Sequence, residues 1–350
     1  MKVIGINIYM QSNGGGILSN PKISIVITAY NRKQFLSQAI ESIAKQEIDR
    51  SELEVIVVSN FELDDSLFKG DIAISSIVMD GTIGEYLYAG VKAAKFDIIA
   101  FLDDDDIFLP GKLKAVRDIF SGNQDLCYYH NAPEYLDINL NLKDYVRLVE
   151  RKSSLYSDID INFDIATSLK SIKSAIDMNG DFNISCISIK KEAYSAYLPL
   201  LEQIKSCQDG FFFWTGVLSG KKMIIDHRKY TGYRIHNLNV SASLNYDRRI
   251  EEINREIYTF DLLLNFTGQL NILSYTLTYI KKWITLYKLE YSLIKYIFED
   301  VPRITIFRSL IDLLTIGTEY SNTLKYRISA LSIVRLISAK LARSVYKSIQ

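Results

Sequence analysis

Ile23-Ser24-Ile25-Val26-Ile27-Thr28-Ala29-Tyr30 is a β-branched run that opens after Lys22 and empties into a polar loop, Asn31-Arg32-Lys33. Such a run predicts a strand. Residues 34–46 follow with Phe35, Ala39, Ile40 and Ile43 at helical spacing, which gives a helix one apolar side. Leu53-Glu54-Val55-Ile56-Val57-Val58 is short and almost continuously apolar, as a strand covered on both faces is. Strand, helix and strand in that order favour a parallel sheet flanked by helices.

The alternation continues outward. A weaker strand at Ile72–Val78 precedes a helix from Gly84 to Ala94 and a buried strand at Asp97–Leu102. Pro110 and Gly111 then turn the chain into a helix over Lys112–Phe120. The first half reads as an open α/β domain whose carboxyl-end loops form the ligand-binding edge. Residues 140–175 show no clean period and predict a variable excursion. Phe182–Ile189 alternates like a strand, Phe211–Trp214 opens a buried helix, and Lys222–Asp226 reads as a later strand of the same cleft. After about residue 248, Leu, Ile, Tyr and Lys recur in long segments, which predicts helices up to the C-terminus, with Pro302 breaking or starting one of them.

The composition of the 350 residues, 48% hydrophobic and 23% charged, supplies a substantial core and argues against a disordered chain. Forty-one basic and 41 acidic residues cancel, so no global charge calls for a nucleic acid. Cys127, Cys186 and Cys207 are widely spaced and form neither a disulfide framework nor a zinc cluster, which suits a reducing, cytoplasmic compartment. Met1–Met10 is too short and too polar for a secretory signal and is expected to stay attached. The Gly14-Gly15-Gly16 run reads as a flexible turn, because no Lys-Ser or Lys-Thr pair follows to make a phosphate loop. No stretch reaches the roughly 18 consecutive apolar residues of a membrane span.

The sharpest chemical signal is Phe101-Leu102-Asp103-Asp104-Asp105-Asp106-Ile107-Phe108-Leu109-Pro110. Carboxylates gathered this closely repel one another, whereas a hard divalent cation neutralises them and leaves positions for phosphate oxygens. Asp103 and Asp105 are two apart, so an extended segment points them the same way. A solvent-facing acidic turn would need no metal and is the competing reading.

With these residues, Lys22–Asn60 and Phe101–Leu113 resemble a family 2 glycosyltransferase of the GT-A type. The likeness covers most of the first 115 residues and returns near Asp209 and residues 231–241. It implies an α/β fold, a mixed sheet flanked by helices with an α-helical C-terminal extension. It further implies a nucleotide-diphosphate sugar donor, by default UDP-linked, a Mn2+ or Mg2+ cofactor, and transfer with inversion to a saccharide or lipid-linked acceptor. Thr28, Ala29 and Tyr30 would line the nucleoside pocket, with Arg32 and Asn60 nearby. Asp103 and Asp104 would contact the donor, Asp105 would bind the metal with Asp103 and His236 as further candidate ligands, and Asp106 would support them. Asp209 would be the general base, with a helix cap as its alternative role. Arg234 would meet phosphate, His236 would bind metal or fix the loop, and Tyr233 and Asn239 would support the loop. His130 and His227 have no such constellation and are assigned structural or surface roles.

Two departures stand out. After Val57-Val58, Ser59-Asn60 replaces the usual aspartate pair, and Asn offers a donor as well as an acceptor where ionised Asp only accepts. Tyr86–Gly90 lacks the Arg-Asn element of many relatives. These keep two alternatives open, a sugar nucleotidyltransferase and a degenerate carbohydrate-binding or assembly module. The expected organisation is an extension at 1–20, a catalytic domain at 21–247 and a helical region at 248–350. Within Thr323–Ile349 an apolar stripe of Leu324, Ile328, Leu331, Val334, Ile337, Leu341 and Val345 is flanked by Lys325, Arg335, Lys340, Arg343 and Lys347, and no acidic residue follows Glu319. One basic amphipathic helix there would rest on an anionic membrane, form a homo-oligomer, or pack on its neighbours.

Overall fold

The structure is a computed structural model that describes residues 21–64, 67, 71–142, 159–161, 171–172, 174–176, 178–236, 246–267, 281, 285, 288–289, 292–293, 295–297, 300–315 and 322–349. The expected extension at 1–20, most of the 140–175 excursion and Asn239 lie outside them. The strands are β1 (Ile23–Ala29), β2 (Leu53–Ser59), β3 (Ala73–Val78), β4 (Ile98–Asp103), β5 (Ile107–Phe108), β6 (Leu126–Leu136), β7 (Ile159–Ile161), β8 (Ile187–Lys190) and β9 (Lys222–Arg234). The helices are α1 (Lys33–Ala44), α2 (Ile83–Ala93), α3 (Lys112–Gly122), α4 (Leu198–Leu201), α5 (Gln208–Ser219), α6 (Tyr246–Thr267), α7 (Arg303–Thr315), α8 (Asn322–Ile337) and α9 (Ala339–Ile349).

The sheet runs β3-β2-β1-β4-β8-β6-β9-β5, with β7 also paired to β9. β3, β2, β1 and β4 are parallel, and β8 is antiparallel to both β4 and β6. The alternation of β1 sorts its side chains between two cores. Val26 packs with Val58, Leu87, Val91 and Phe101 and with Phe211–Trp214 of α5. Ile25 and Ile27 pack on the other face with Leu36, Ala39, Ile40 and Ile43 of α1 and with Leu113 and Val116 of α3. α5 is apolar all round and buried from Gly210 to Leu218.

Three expectations need correction. Phe182–Ile189 is not one strand, because Asn183 takes a left-handed φ of 66° and caps a 3-10 turn over Ile184–Cys186 before β8 starts. The late strand does not stop at Asp226: β9 continues to Arg234, so the first part of the segment read as a loop, through Arg234, is strand. The basic C-terminal segment is two helices, with Ser338 between α8 and α9. Its stripe also divides: Leu331, Val334, Ala342 and Val345 pack around Ile297, while Ile337 and Leu341 are exposed. Arg335 and Arg343 turn toward the protein, donating from Nε to the carbonyls of Tyr296 at 2.8 Å and Ile297 at 3.2 Å. Pro302 stands just before α7 and starts it. Among the described residues no helix is long and apolar enough to cross a membrane.

Candidate active site

The site lies at the carboxyl ends of β1 and β4, where Thr28 and Asp103 are register partners and the Thr28 hydroxyl donates to Asp103 Oδ1 at 3.1 Å. Asn31 follows with φ 57°, a left-handed turn that Asn tolerates. It pairs with Asn60, the Asn31 N–H donating to Asn60 Oδ1 at 3.0 Å and Asn60 Nδ2 to Asn31 Oδ1 at 2.8 Å. Asn60 thus reaches the β1 loop, but with part of its amide engaged there. The exposed ring of Tyr30 meets Tyr86 of α2 edge-on at 6.3 Å.

Arg32 reaches over the acidic run, 2.6 Å from Asp104 Oδ1 and paired with Asp105. Burial alone would lower the guanidinium pKa, but Asp105, Asp104 and Asp103 outweigh it and raise it. Burial also pushes the fully enclosed Asp104 carboxyl up to about 8, against the pull of Arg32. Asp103 is raised too, by burial first and then by Asp105.

The four aspartates are not equivalent. Asp106 is the most heavily engaged: Oδ2 accepts from the Ser185 hydroxyl at 2.7 Å and Asn183 Nδ2 at 3.0 Å, and Oδ1 accepts from the Arg234 N–H at 3.0 Å. Asp105 Oδ2 lies 3.0 Å from His236 Nε2. Ligand oxygens of Asp103, Asp105 and Asp106 lie within 4.8 Å of one another, a hard-oxygen set that fits Mg2+ or Mn2+. Since Asp106 is already committed to the protein, Asp103 and Asp105 are the carboxylates better suited to such an ion, with His236 beside them.

Arg234 is buried, with Nε donating to the Asp105 carbonyl at 2.7 Å and Nη1 to the Ile138 carbonyl at 3.1 Å. Its guanidinium stacks 4.5 Å from the Phe35 ring. These contacts tie β9 to the acidic loop. Tyr233 packs edge-on against Tyr135 and Phe182 at 5.9 and 5.5 Å.

Asp209 stands in the first turn of α5, whose N-cap position is Cys207, so Asp209 is not the cap. Its Oδ2 accepts the Asn183 N–H at 3.0 Å and its Oδ1 the Gly210 N–H at 2.9 Å.

Sequence reasoning missed Asn183 and Ser185. The Ser185 hydroxyl also accepts the Asp103 N–H at 3.0 Å, so this one turn braces two aspartates. The available signal was Asn-x-Ser, the composition of an Asx turn, set inside an apolar alternation. Behind the turn, the buried Lys112 amine donates to the Cys186 carbonyl at 3.2 Å and to Asn131, and burial lowers its pKa to about 8.

This architecture is that of the GT-A glycosyltransferases. Staphylococcus aureus TarS 1–349 in complex with UDP-GlcNAc superposes with a TM-score of 0.60 at 13% identity, covering 94% of this chain and 92% of that one. The mannosyltransferase PcManGT from Pyrobaculum calidifontis, in complex with GDP-Man and Mn2+, gives 0.53 at 11% identity, over 93% and 87%. Residues 24–153 match the model of glycosyl transferase family 2. EpsH of Bacillus subtilis (strain 168), a glycosyltransferase by assignment, is 22% identical over 283 residues, 73% of this chain and 78% of EpsH. Three further glycosyltransferase relatives align over shorter stretches, 36–38% of their own lengths.

Proposed function

We propose that the chain moves a sugar from a nucleotide diphosphate to the hydroxyl of a saccharide or lipid-linked acceptor, with inversion at the anomeric carbon. The observation that carries this reading is the convergence of Asp103, Asp105, His236 and Arg32 at one sheet edge, joined through the 183–186 turn to an acidic group, Asp209, at the head of a buried helix. A divalent cation held by Asp105, Asp103 and His236 would neutralise charge on the departing diphosphate. In this proposal Thr28, Tyr30 and Asn60 border the nucleoside side of that edge, with Ala29 buried in the core beneath them. Asp209 takes the acceptor proton as the acceptor oxygen bonds to the anomeric carbon, and the bond from that carbon to the diphosphate breaks on the opposite face. The likeness to the TarS complex favours a UDP-linked donor. Residues 21–247 form the catalytic domain in this proposal, and residues 248–350 place it on the cytoplasmic face of a membrane.

The test is turnover of UDP-GlcNAc and GDP-Man with and without Mn2+, with products identified by mass so that transfer, hydrolysis and nucleotidyl exchange are separated. Asp209→Asn keeps the size of the side chain and removes the proton acceptor. It is expected to retain UDP-sugar affinity and to lose transfer by roughly 10²–10⁴-fold. Transfer near the wild-type rate in the folded variant rejects Asp209 as base.

A further inference from the structure

Asn183 joins the acidic loop to Asp209 by three contacts made from one residue. Its Nδ2 donates to Asp106 Oδ2 at 3.0 Å, its Oδ1 accepts the Ser185 N–H at 2.7 Å, and its own N–H donates to Asp209 Oδ2 at 3.0 Å. The side chain is buried, and the backbone takes φ 66° and ψ 110°, outside the ordinary strand and helix regions. That conformation aims the N–H at α5 when an extended strand would aim it along the sheet. The flanking chain is pinned from β6: Tyr128 donates its hydroxyl to the Gly180 carbonyl at 2.7 Å, and His130 Nε2 lies 2.8 Å from the Phe182 carbonyl.

We infer that Asn183 is a positioning residue: its side chain, anchored on Asp106, holds the left-handed turn whose N–H sets the direction of the Asp209 carboxylate. The inference rests on the reading of Asp209 as the base and adds the device that orients it. A carboxylate that accepts a proton from an attacking hydroxyl must present the correct lone pair, and a displacement of about 1 Å in a catalytic group can cost as much as 10²-fold in rate. Asp106 then acts at a distance, through Asn183, on proton transfer, while its neighbours Asp103 and Asp105 serve the donor.

Asn183→Gly removes both side-chain bonds, keeps the N–H and suits the positive φ. Asn183→Asp is nearly isosteric, keeps an acceptor for Ser185 and sets a carboxylate against Asp106, so it serves if the glycine variant fails to fold. The expected result with Mn2+ and UDP-GlcNAc or GDP-Man, read as nucleotide release, is a fall in kcat of about 10-fold or more with donor KM within about twofold. In the Asp209→Asn background the same change should cost no more than about twofold, since a group acting through Asp209 has nothing left to orient. A crystal structure of the variant should show the Asp209 carboxylate rotated. Losses that multiply in the double variant, a loss confined to donor KM, or an unmoved Asp209 carboxylate each overturn the positioning role and leave the base reading standing. An Asp209→Asn enzyme of wild-type activity, or a wild-type enzyme silent toward both donors, removes the base reading and this inference together.

Discussion

At the scale of single residues, the acidic run divides by what each carboxylate already holds. Asp106 accepts from Ser185, Asn183 and Arg234, whereas Asp105 faces Arg32 and His236 at the edge of the site. The two should fail differently. Asp105→Ala removes a hard oxygen ligand and is expected to abolish the Mn2+-dependent gain in UDP affinity, with thermal unfolding close to wild type. Calorimetry of UDP with and without Mn2+ measures this, and a metal-coupled affinity unchanged in the folded variant rejects Asp105 as the ligand. Asp106→Ala, by contrast, leaves a hydroxyl, an amide and a backbone N–H buried without their acceptor, at about 1–3 kcal/mol for each group left unsatisfied.

Among the described elements that no local pattern announced, β6 is the longest. Its sequence holds Pro133, which usually argues against a strand, but the register against β9 shifts between Ala132 and Pro133, the irregularity at which a proline is tolerated. β6 also carries His130 into the interior, where burial pushes the ring down to about 4, Lys112 adds to the fall, and the Phe182 carbonyl and Asp226 oppose it. The folded pKa is below the ordinary value of about 6.5, so the unfolded chain binds the proton first. The stability that neutral His130 contributes is complete above pH 6.5 and declines as pH falls from 6.5 toward 4, by up to about 3 kcal/mol. His130→Gln retains an N–H donor without a titrating ring. Denaturant unfolding at pH 7, 5.5 and 4.5 should show a shallower decline in this variant than in wild type, and identical declines would assign the acid sensitivity to other groups.

On the scale of the whole molecule, the C-terminal helices leave apolar surface uncovered. Ile333, Ile337 and Leu341 are 50%, 73% and 53% exposed along α8 and α9, with exposed Lys340 among them. Ile304 and Phe307 on α7 are also exposed, next to Arg303 and Arg308. On α8 and α9, apolar side chains framed by cations, with no acidic residue after Glu319, match the chemistry of an anionic lipid surface, whereas α7 also carries the exposed Asp312. The exposed stripe is therefore the better probe than Arg343, which is partly engaged with the Ile297 carbonyl. Ile337→Asp combined with Leu341→Asp should end co-sedimentation with phosphatidylserine-containing vesicles while UDP binding persists. Wild-type binding should weaken with salt as charge is screened. A wild-type protein that ignores these vesicles rejects docking, and one that instead sediments as a dimer dispersed by the same substitutions assigns the stripe to a second copy.

Neighbours along the chain decide the features that are legible before folding. β1, α1, β2, α2, β4 and α3 were legible because a strand buried between helices is a continuous apolar run and an amphipathic helix repeats at its own pitch. Asp103–Asp106 and Asp209 were legible as chemistry because carboxylates at a strand end and a helix head are local features. Folding in three dimensions settles which of those acids are engaged by the protein, that Arg234 ties β9 to the acidic loop, that Asn183 breaks an alternating run into a turn, and that the apolar stripe of the C-terminal segment is shared between a core and the surface. Each of these depends on a partner far away in sequence, Asp106 with Asn183 or Asp105 with His236, and the hydrogen bond that fixes it exists only once the sheet has brought the two together.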